Sequence, residues 1–523
     1  MEAQTIAALL GAGAAGAALV LDDRRRRAPA MLGALALAGI ALCLLADDQI
    51  ADAVEPRVAL AAVAGGAGVV ALSGLAILFR RRPEALPLAL VAVLPFRVPV
   101  TVGDDTASLL LPLYGVIAAG CLAFLFGDGA DREEDRRARR LRIALAAMLV
   151  LYALQTLYST DTEHAVKNLC FFYIPFALLF RLLLDVRWTA RLLVGAFGVM
   201  VGLALVFAAV GFFEYATGRL LITNSKLLEA NDVKPYFRVN SVFFDPNIYG
   251  RYLVLVMTGL AGALLWSRRP RDGWWIAAML AVLWGGLVLS LSQSSFAALL
   301  IGLAVLAGLR WRVKPVVGVV LVAAACSAAV IAFAGDEVGI KTSSGESVNR
   351  STSGRVELVE GAISMIGDRP VWGFGSGAFE ERYRVREGVR SQRVAAVSHT
   401  TPLTIAAEQG VIGLAAYAYV LFAAFTLLFA NLRGALAAAA PAAGAGAAAE
   451  RPRDGPLPAV ARAILAAGFC GLVAHTLMYA AFLEDPFLWT VLAVAAAVPL
   501  AAREPAPAAE EARRGARLSP APA

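Results

Sequence analysis

Of the three histidines in this chain of 523 residues, His399 is the one set among groups that could work with it. It stands in Ser398-His399-Thr400-Thr401-Pro402, at the end of a polar, arginine-rich stretch running from about Gly335 to Thr401, and a long apolar run follows. Thr401 is a good helix cap, and Pro402 suits the first helical position, where its missing N–H would have found no partner. His399 then lies just outside a helix N-terminus, whose positive end disfavours imidazolium. A neutral imidazole there is suited to take a proton from a hydroxyl nucleophile, which is the work of a general base. The plainer reading is a solvated loop histidine, or one that only donates a hydrogen bond. His164 follows a short acidic connection, and His475 lies inside an apolar span, where a packed, hydrogen-bonded role is expected.

A second cluster is Phe243-Phe244-Asp245-Pro246-Asn247-Ile248-Tyr249-Gly250-Arg251, where a polar segment enters an apolar one. Asn247 and Arg251 are four apart, so a helix puts them on one face. An arginine inside a membrane boundary is costly unless it meets an anion. A lipid-linked diphosphate would supply one, because the planar guanidinium matches two phosphate oxygens and keeps its charge at any physiological pH. The alternative is snorkelling to a phospholipid headgroup. Within the polar stretch, Arg355 opens a surface helix over Gly354–Ile366, with Val356, Val359, Ile363 and Ile366 on one face. Gly367 to Pro370 end that helix. The segment Val371-Trp372-Gly373-Phe374-Gly375-Ser376-Gly377 then alternates bulky and small residues, a tight bend that offers Trp372 and Phe374 either as stacking rings for a sugar or as anchors at the membrane interface.

These residues need a scaffold, and composition supplies its class. Hydrophobic residues make up 59% of the chain and charged residues 17%, with a mean hydropathy of +0.69, so a soluble domain is excluded. Apolar runs of roughly 17–25 residues recur without strand-like alternation, which gives an all-α integral membrane protein of about 14–15 transmembrane helices. The first run begins near Ala3 with no basic residue before it and is expected to stay in the protein rather than to be cleaved as a signal. Short basic connections at Arg24–Arg27, Arg80–Arg82, Arg132–Arg142, Arg187–Arg191, Arg268–Arg271, Arg310–Lys314 and Arg433–Arg453 follow alternate spans and mark the cytoplasmic side. The loop holding His399 is then extracytoplasmic, and the membrane is the cytoplasmic one.

The organisation follows. Residues 1–242 form N-terminal spans, 243–334 central spans opening with Asp245-Pro246-Asn247, 335–401 the large loop with its short helices, and 402–502 C-terminal spans with a flexible linker near 435–457. A disordered tail occupies 503–523. The net charge of +7 is spread over cytoplasmic loops facing anionic membrane lipids, which argues against nucleic acid as a partner. Cys43, Cys121, Cys170, Cys326 and Cys470 lie in apolar spans at no metal-like spacing, so neither a disulfide framework nor a metal site is expected. Arg97 and Arg181 are further charges close to apolar segments.

The Asp245-Pro246-Asn247 entry, Gly354-Arg355 with Asp368-Arg369-Pro370-Val371-Trp372-Gly373-Phe374-Gly375, and His399 leading to Glu408-Gln409-Gly410-Val411-Ile412-Gly413 resemble the O-antigen ligase and polymerase family, over roughly Phe243–Leu428. That resemblance implies a metal-independent, cofactor-free glycosyltransferase that moves a glycan from undecaprenyl diphosphate to an acceptor hydroxyl at the outer membrane face during surface polysaccharide assembly. His399 matches the family's required histidine, Arg251 and Arg355 are its candidate diphosphate arginines with Asn247 beside them, and the acceptor is a lipid anchor for a ligase or another lipid-linked repeat for a polymerase. The family often carries a Ser-Arg pair at the span that here begins Ser292-Gln293-Ser294-Ser295; this chain lacks that arginine, and Arg350, Arg369 or Lys167 are open substitutes. A transporter for lipid-linked glycans is the reading from another class, but no internal repeat supports it.

The orientation is directly measurable. In a chain whose own cysteines have been replaced, His399→Cys should react with a membrane-impermeant maleimide applied outside intact cells stripped of their outer barrier. Labelling only from the cytosolic side would reverse the topology.

Overall fold

A backbone crossing hydrocarbon must satisfy its own N–H and C=O groups, which long apolar runs do as helix. The computed structural model describes residues 2–45, 58–102, 105–126, 134–222, 227–228, 231, 236–267, 270–311, 355–387, 400–439, 457–479 and 481–498. Their helices are α1 (Ala3–Val20), α2 (Arg24–Leu45), α3 (Val58–Arg81), α4 (Ala85–Val93), α5 (Leu111–Leu125), α6 (Arg136–Thr156) and α7 (Thr162–Asn168). A wide π-helical turn (Leu169–Tyr173) joins α7 to α8 (Ile174–Leu184), and α9 (Ala190–Thr217), α10 (Pro246–Trp266), α11 (Pro270–Ser290) and α12 (Gln293–Arg310) follow. The polar segment holds α13 (Arg355–Asp368) and α14 (Phe379–Glu387), and the chain ends in α15 (Thr401–Phe429), α16 (Leu432–Ala439), α17 (Leu457–Thr476) and α18 (Pro486–Ala497). Between α4 and α5 lies one antiparallel hairpin, β1 (Val98–Val102) with β2 (Asp105–Leu109), registered with Val98 opposite Leu109.

Nine helical stretches among the described residues are long and apolar enough to cross a membrane, and α5 and α18 are shorter apolar helices. The chain is an all-α integral membrane protein, and its polar segment contains the short helices expected there. Residues 312–350, assigned from the sequence to further spans and the start of the large loop, lie outside the described residues.

Arginines tie the helices together at one end. Arg24 donates to the Phe124 carbonyl at 2.7 Å, Arg142 to the Leu19 carbonyl and to Val20 at 2.9 Å, and Arg462 to the Val498 carbonyl and to Leu427 at 2.8 Å. Each guanidinium meets the C-terminal carbonyls of a neighbouring helix, the negative end where cations are stabilised. The start of α6 thereby meets the end of α1, and the start of α17 meets the ends of α15 and α18.

At the other end the polar segment is clamped into the bundle. Backbone N–H groups of Phe374 and Gly375 donate to the carbonyls of Ala407 and Glu408 at 3.2 and 2.8 Å, and Val411 donates to Pro370 at 2.8 Å. These carbonyls are available because α15 is broken at Gly410, whose φ of 63° and ψ of −164° are not helical. The Glu408 carboxylate accepts from the backbone of Gly377 at 3.0 Å and Phe379 at 3.1 Å. From α6, Gln155 donates to the Gln409 carbonyl at 3.2 Å, and the Tyr152 carbonyl accepts from Ser376 at 2.9 Å.

The alternating small residues of the bend now have a reason. Gly373, Gly375 and Gly377 all have positive φ, and a Cβ on Gly373 would sit 2.2 Å from the Glu408 carbonyl oxygen. Helix α13 forms where the sequence puts it and ends at Asp368, but its buried stripe differs from the expected one. Leu358, Ala362 and Met365 are buried against Phe374, Phe379 and Tyr383, whereas Ile363 is 57% exposed. The reason is Gly361, over which the Tyr383 ring packs closely enough to turn the small-residue face inward.

A paired substitution tests the clamp. Gly410→Ala places a side chain where φ is positive and a backbone carbonyl would lie 2.1 Å away, so it should cost about 2 kcal/mol or more and lower the unfolding temperature in detergent. Gly367→Ala, in a helix with open space around it, should leave that temperature unchanged or slightly raised.

Candidate functional site

The site grows from the start of α10. The Glu214 carboxylate at the end of α9 accepts from the backbone of Leu221, Asn240 and Ser241 at 2.7, 3.2 and 2.8 Å, which folds the approach to Asp245. Asp245 caps α10 by accepting from the Asn247 N–H at 2.6 Å, and Pro246 fills the first helical position. The cap aims the next turn into the bundle, so Arg251 is only 4% exposed. Its Nη1 donates to the Asp485 carboxylate, which also caps α18 through the Phe487 N–H at 2.9 Å. The guanidinium lies over the Tyr479 ring, 5.5 Å from its centroid. Its Nε and Nη2 are buried with no hydrogen-bond partner among the described residues.

Asn247 faces the start of α12. Its side-chain oxygen accepts from Ser292 Oγ at 2.8 Å, and Ser292 caps α12 at the Ser295 N–H. Ser294 and Ser295 bring their hydroxyls to 3.1 and 3.3 Å from Nε2 of His475, which is fully buried near the end of α17. The expected packed, hydrogen-bonded role for His475 is thus present. Its ring lies 5.6 Å from that of Tyr479. Burial pushes the Tyr479 phenol above its ordinary value, Asp245 adds to the rise, and the arginines oppose it, so Tyr479 stays a neutral O–H group.

Arg97, in the connection after α4, is close enough for its charge to act with Asp485, Tyr479, Tyr114 and Arg251. Burial lowers its guanidinium from the ordinary value and Asp485 opposes this most. Glu484 accepts from the Tyr173 hydroxyl at 3.2 Å, and burial raises its carboxyl. At this end too, α15 starts one residue earlier than its sequence suggests: Thr400 is the cap residue and Thr401 the first helical one. Their hydroxyls donate across to α17, Thr400 to Leu477 at 3.3 Å and Thr401 to Thr476 at 3.1 Å.

The structure therefore brings together Asn247, Arg251, the residue that follows His399, and the end of the helix carrying His475. His399 itself lies outside the described residues, as does Arg350, and Arg355 is described only as the first residue of α13. The two rings of the bend differ. Trp372 is 63% exposed, with its carbonyl held by Tyr158 at 2.7 Å, whereas Phe374 is buried between the guanidiniums of Arg369 and Arg382 at 4.9 and 5.1 Å. Only Trp372 offers a face to a large ligand. Sequence reasoning missed Asp485 and Tyr479. The available signal was Asp485-Pro486, which repeats at α18 the Asp-Pro helix entry of Asp245-Pro246.

Removing one member of the buried ion pair leaves the other charged and unsolvated. Arg251→Met should destabilise the protein by about 3–5 kcal/mol in denaturant unfolding, and Arg251→Met with Asp485→Leu should recover much of that loss. A double-variant loss equal to the sum of the Arg251→Met and Asp485→Leu losses would show that the pair is not coupled.

Residues 277–418, which run from α11 through the polar segment to the middle of α15, match the protein family described as O-antigen ligase. No curated protein matches the chain. The matched stretch contains the serine turn, the glycine bend and the break at Gly410, so the family's region coincides with one whole wall of the cluster built above. Over these residues the chain is similar to the O-antigen ligase family, and the match supports a membrane enzyme of ligase-like or polymerase type in polysaccharide assembly.

Proposed function

We propose that the protein transfers a glycan from undecaprenyl diphosphate to an acceptor hydroxyl at the outer face of the cytoplasmic membrane. The observation that carries this reading is Arg251: a buried guanidinium at the end of a membrane helix, with two nitrogens unpartnered among the described residues, facing the end where the polar segment docks. A single carboxylate, Asp485, occupies one edge of the fork. The remaining donors suit the oxygens of a phosphate, and the lipid carrier delivers its diphosphate at this depth. Asn247 and the helix α10 N-terminus lie on the same approach, Arg97 adds a second positive charge, and Arg355 opens the helix of the docked segment.

His399 supplies the base. The hydroxyl of the next residue in the chain, Thr400, is held at the end of α17, which supports this reading. In the reaction the acceptor hydroxyl gives its proton to the neutral imidazole as its oxygen bonds to the anomeric carbon. The bond from that carbon to the diphosphate breaks, and its electron pair leaves with undecaprenyl diphosphate. Guanidinium groups balance the charge that grows on the leaving oxygen, so the chemistry calls for no metal. Displacement from the opposite side inverts the anomeric centre. Trp372 offers a stacking face for the glycan.

The test uses purified protein in nanodiscs with undecaprenyl-diphosphate oligosaccharide. His399→Ala should lower transfer by about a hundred-fold or more while donor binding persists. Transfer at the wild-type rate by that variant would refute the base assignment. A product on a new anchor identifies a ligase, longer lipid-linked chains identify a polymerase, and movement of donor across the bilayer with no new bond overturns enzymatic function.

A further inference from the structure

Among the described groups, His475 is the one whose arrangement asks for a ligand. It is fully buried, yet only one side of its ring is satisfied: Nε2 faces the hydroxyls of Ser294 and Ser295, and Nδ1 has no hydrogen-bond partner among the described residues. The serines are not loose. Ser295 lies 2.8 Å and Ser294 3.3 Å from Ser292 Oγ, whose own proton goes to the Asn247 side chain at 2.8 Å, and the Asn247 carbonyl lies beside the imidazole. A hydroxyl both donates and accepts, so this network can serve Nε2 in either protonation state and leaves Nδ1 free to carry a proton outward.

A neighbouring side chain, Arg251, has the same need. Arg251 has two buried, unpartnered nitrogens, and it flanks the Tyr479 ring at 5.5 Å while His475 flanks that ring at 5.6 Å. The two side chains are near enough for their charges to interact. Buried donors without acceptors are rare in a settled fold, and unsatisfied nitrogens on two neighbouring cationic or proton-bearing groups point to one shared anion.

We infer that His475 is a binding residue for the lipid diphosphate, donating from Nδ1 to a phosphate oxygen beside Arg251 while Ser294 and Ser295 hold its other nitrogen. This rests on the donor assigned above and adds a second nitrogen donor to Arg251. It also gives a role to the serine turn at the start of α12, whose hydroxyls hold the imidazole.

The experiment compares two amides that mimic opposite edges of the ring. His475→Asn keeps a donor near the Nδ1 position, and His475→Gln keeps only the edge that faces the serines. Full-length protein in nanodiscs is titrated with undecaprenyl diphosphate, and binding is read from the rise in unfolding temperature. His475→Asn should bind within a few-fold of wild type, and His475→Gln should bind roughly ten- to a hundred-fold more weakly. Equal binding by His475→Gln and wild type overturns the inference and leaves the donor assignment standing; no binding by wild type overturns both. Should a variant fail to fold, nitrogen NMR of histidine-labelled wild type decides: with three histidines in the chain, the Nδ1 resonance of His475 must shift when undecaprenyl diphosphate is added, and an unmoved resonance refutes the contact.

Discussion

A guanidinium cannot stand inside a membrane bundle without negative charge beside it, and in this protein the contact between Arg251 and Asp485 meets that demand. The pair joins α10 to the start of α18, across 234 residues of sequence. Both partners belong to helix entries of the same construction, an aspartate cap followed by proline, so each carboxylate or cap also fixes the direction of its helix. The pair is incomplete: one carboxylate satisfies one edge of the fork, and Nε and Nη2 are buried with no hydrogen-bond partner among the described residues. That open edge distinguishes it from the ion pair of Arg142 with Glu134 and Asp22, whose guanidinium also meets two helix-end carbonyls.

Around this pair the bundle has two distinct ends. At one, arginines close the carbonyl ends of neighbouring helices and hold the spans in order. At the other, neutral hydroxyls, amides and a histidine tie α10, α12, α15 and α17 together beside Arg251, Asp485 and Arg97.

Much of this was written in the sequence, because its physics is local. Membrane class follows from run length, the starts of α10 and α15 from their cap and proline signals, and the end of α13 from Gly367 to Pro370. The α15 cap was displaced by one residue, since threonines at 400 and 401 are chemically equivalent caps and only their bonds across to α17 decide between them. Arg251 and Asn247 were legible as a helical pair. Asp485, Tyr479 and the serines around His475 were not legible as partners, because nothing in a linear pattern says which distant helix end a side chain meets. Phe374 shows the same limit: a ring beside glycines reads as available for stacking, and only the fold reveals two arginines covering it.

The break at Gly410 has a mechanical consequence. It frees helix carbonyls that accept from Phe374 and Gly375 and the Val411 N–H that donates to Pro370, while the Glu408 carboxylate takes two more amide protons. Hinging the bend away from α15 would strand every one of those groups at once, at roughly 1–3 kcal/mol apiece. The floor beneath Trp372 is therefore a fixed plate rather than a door, and any movement at this end of the bundle falls to segments other than the bend.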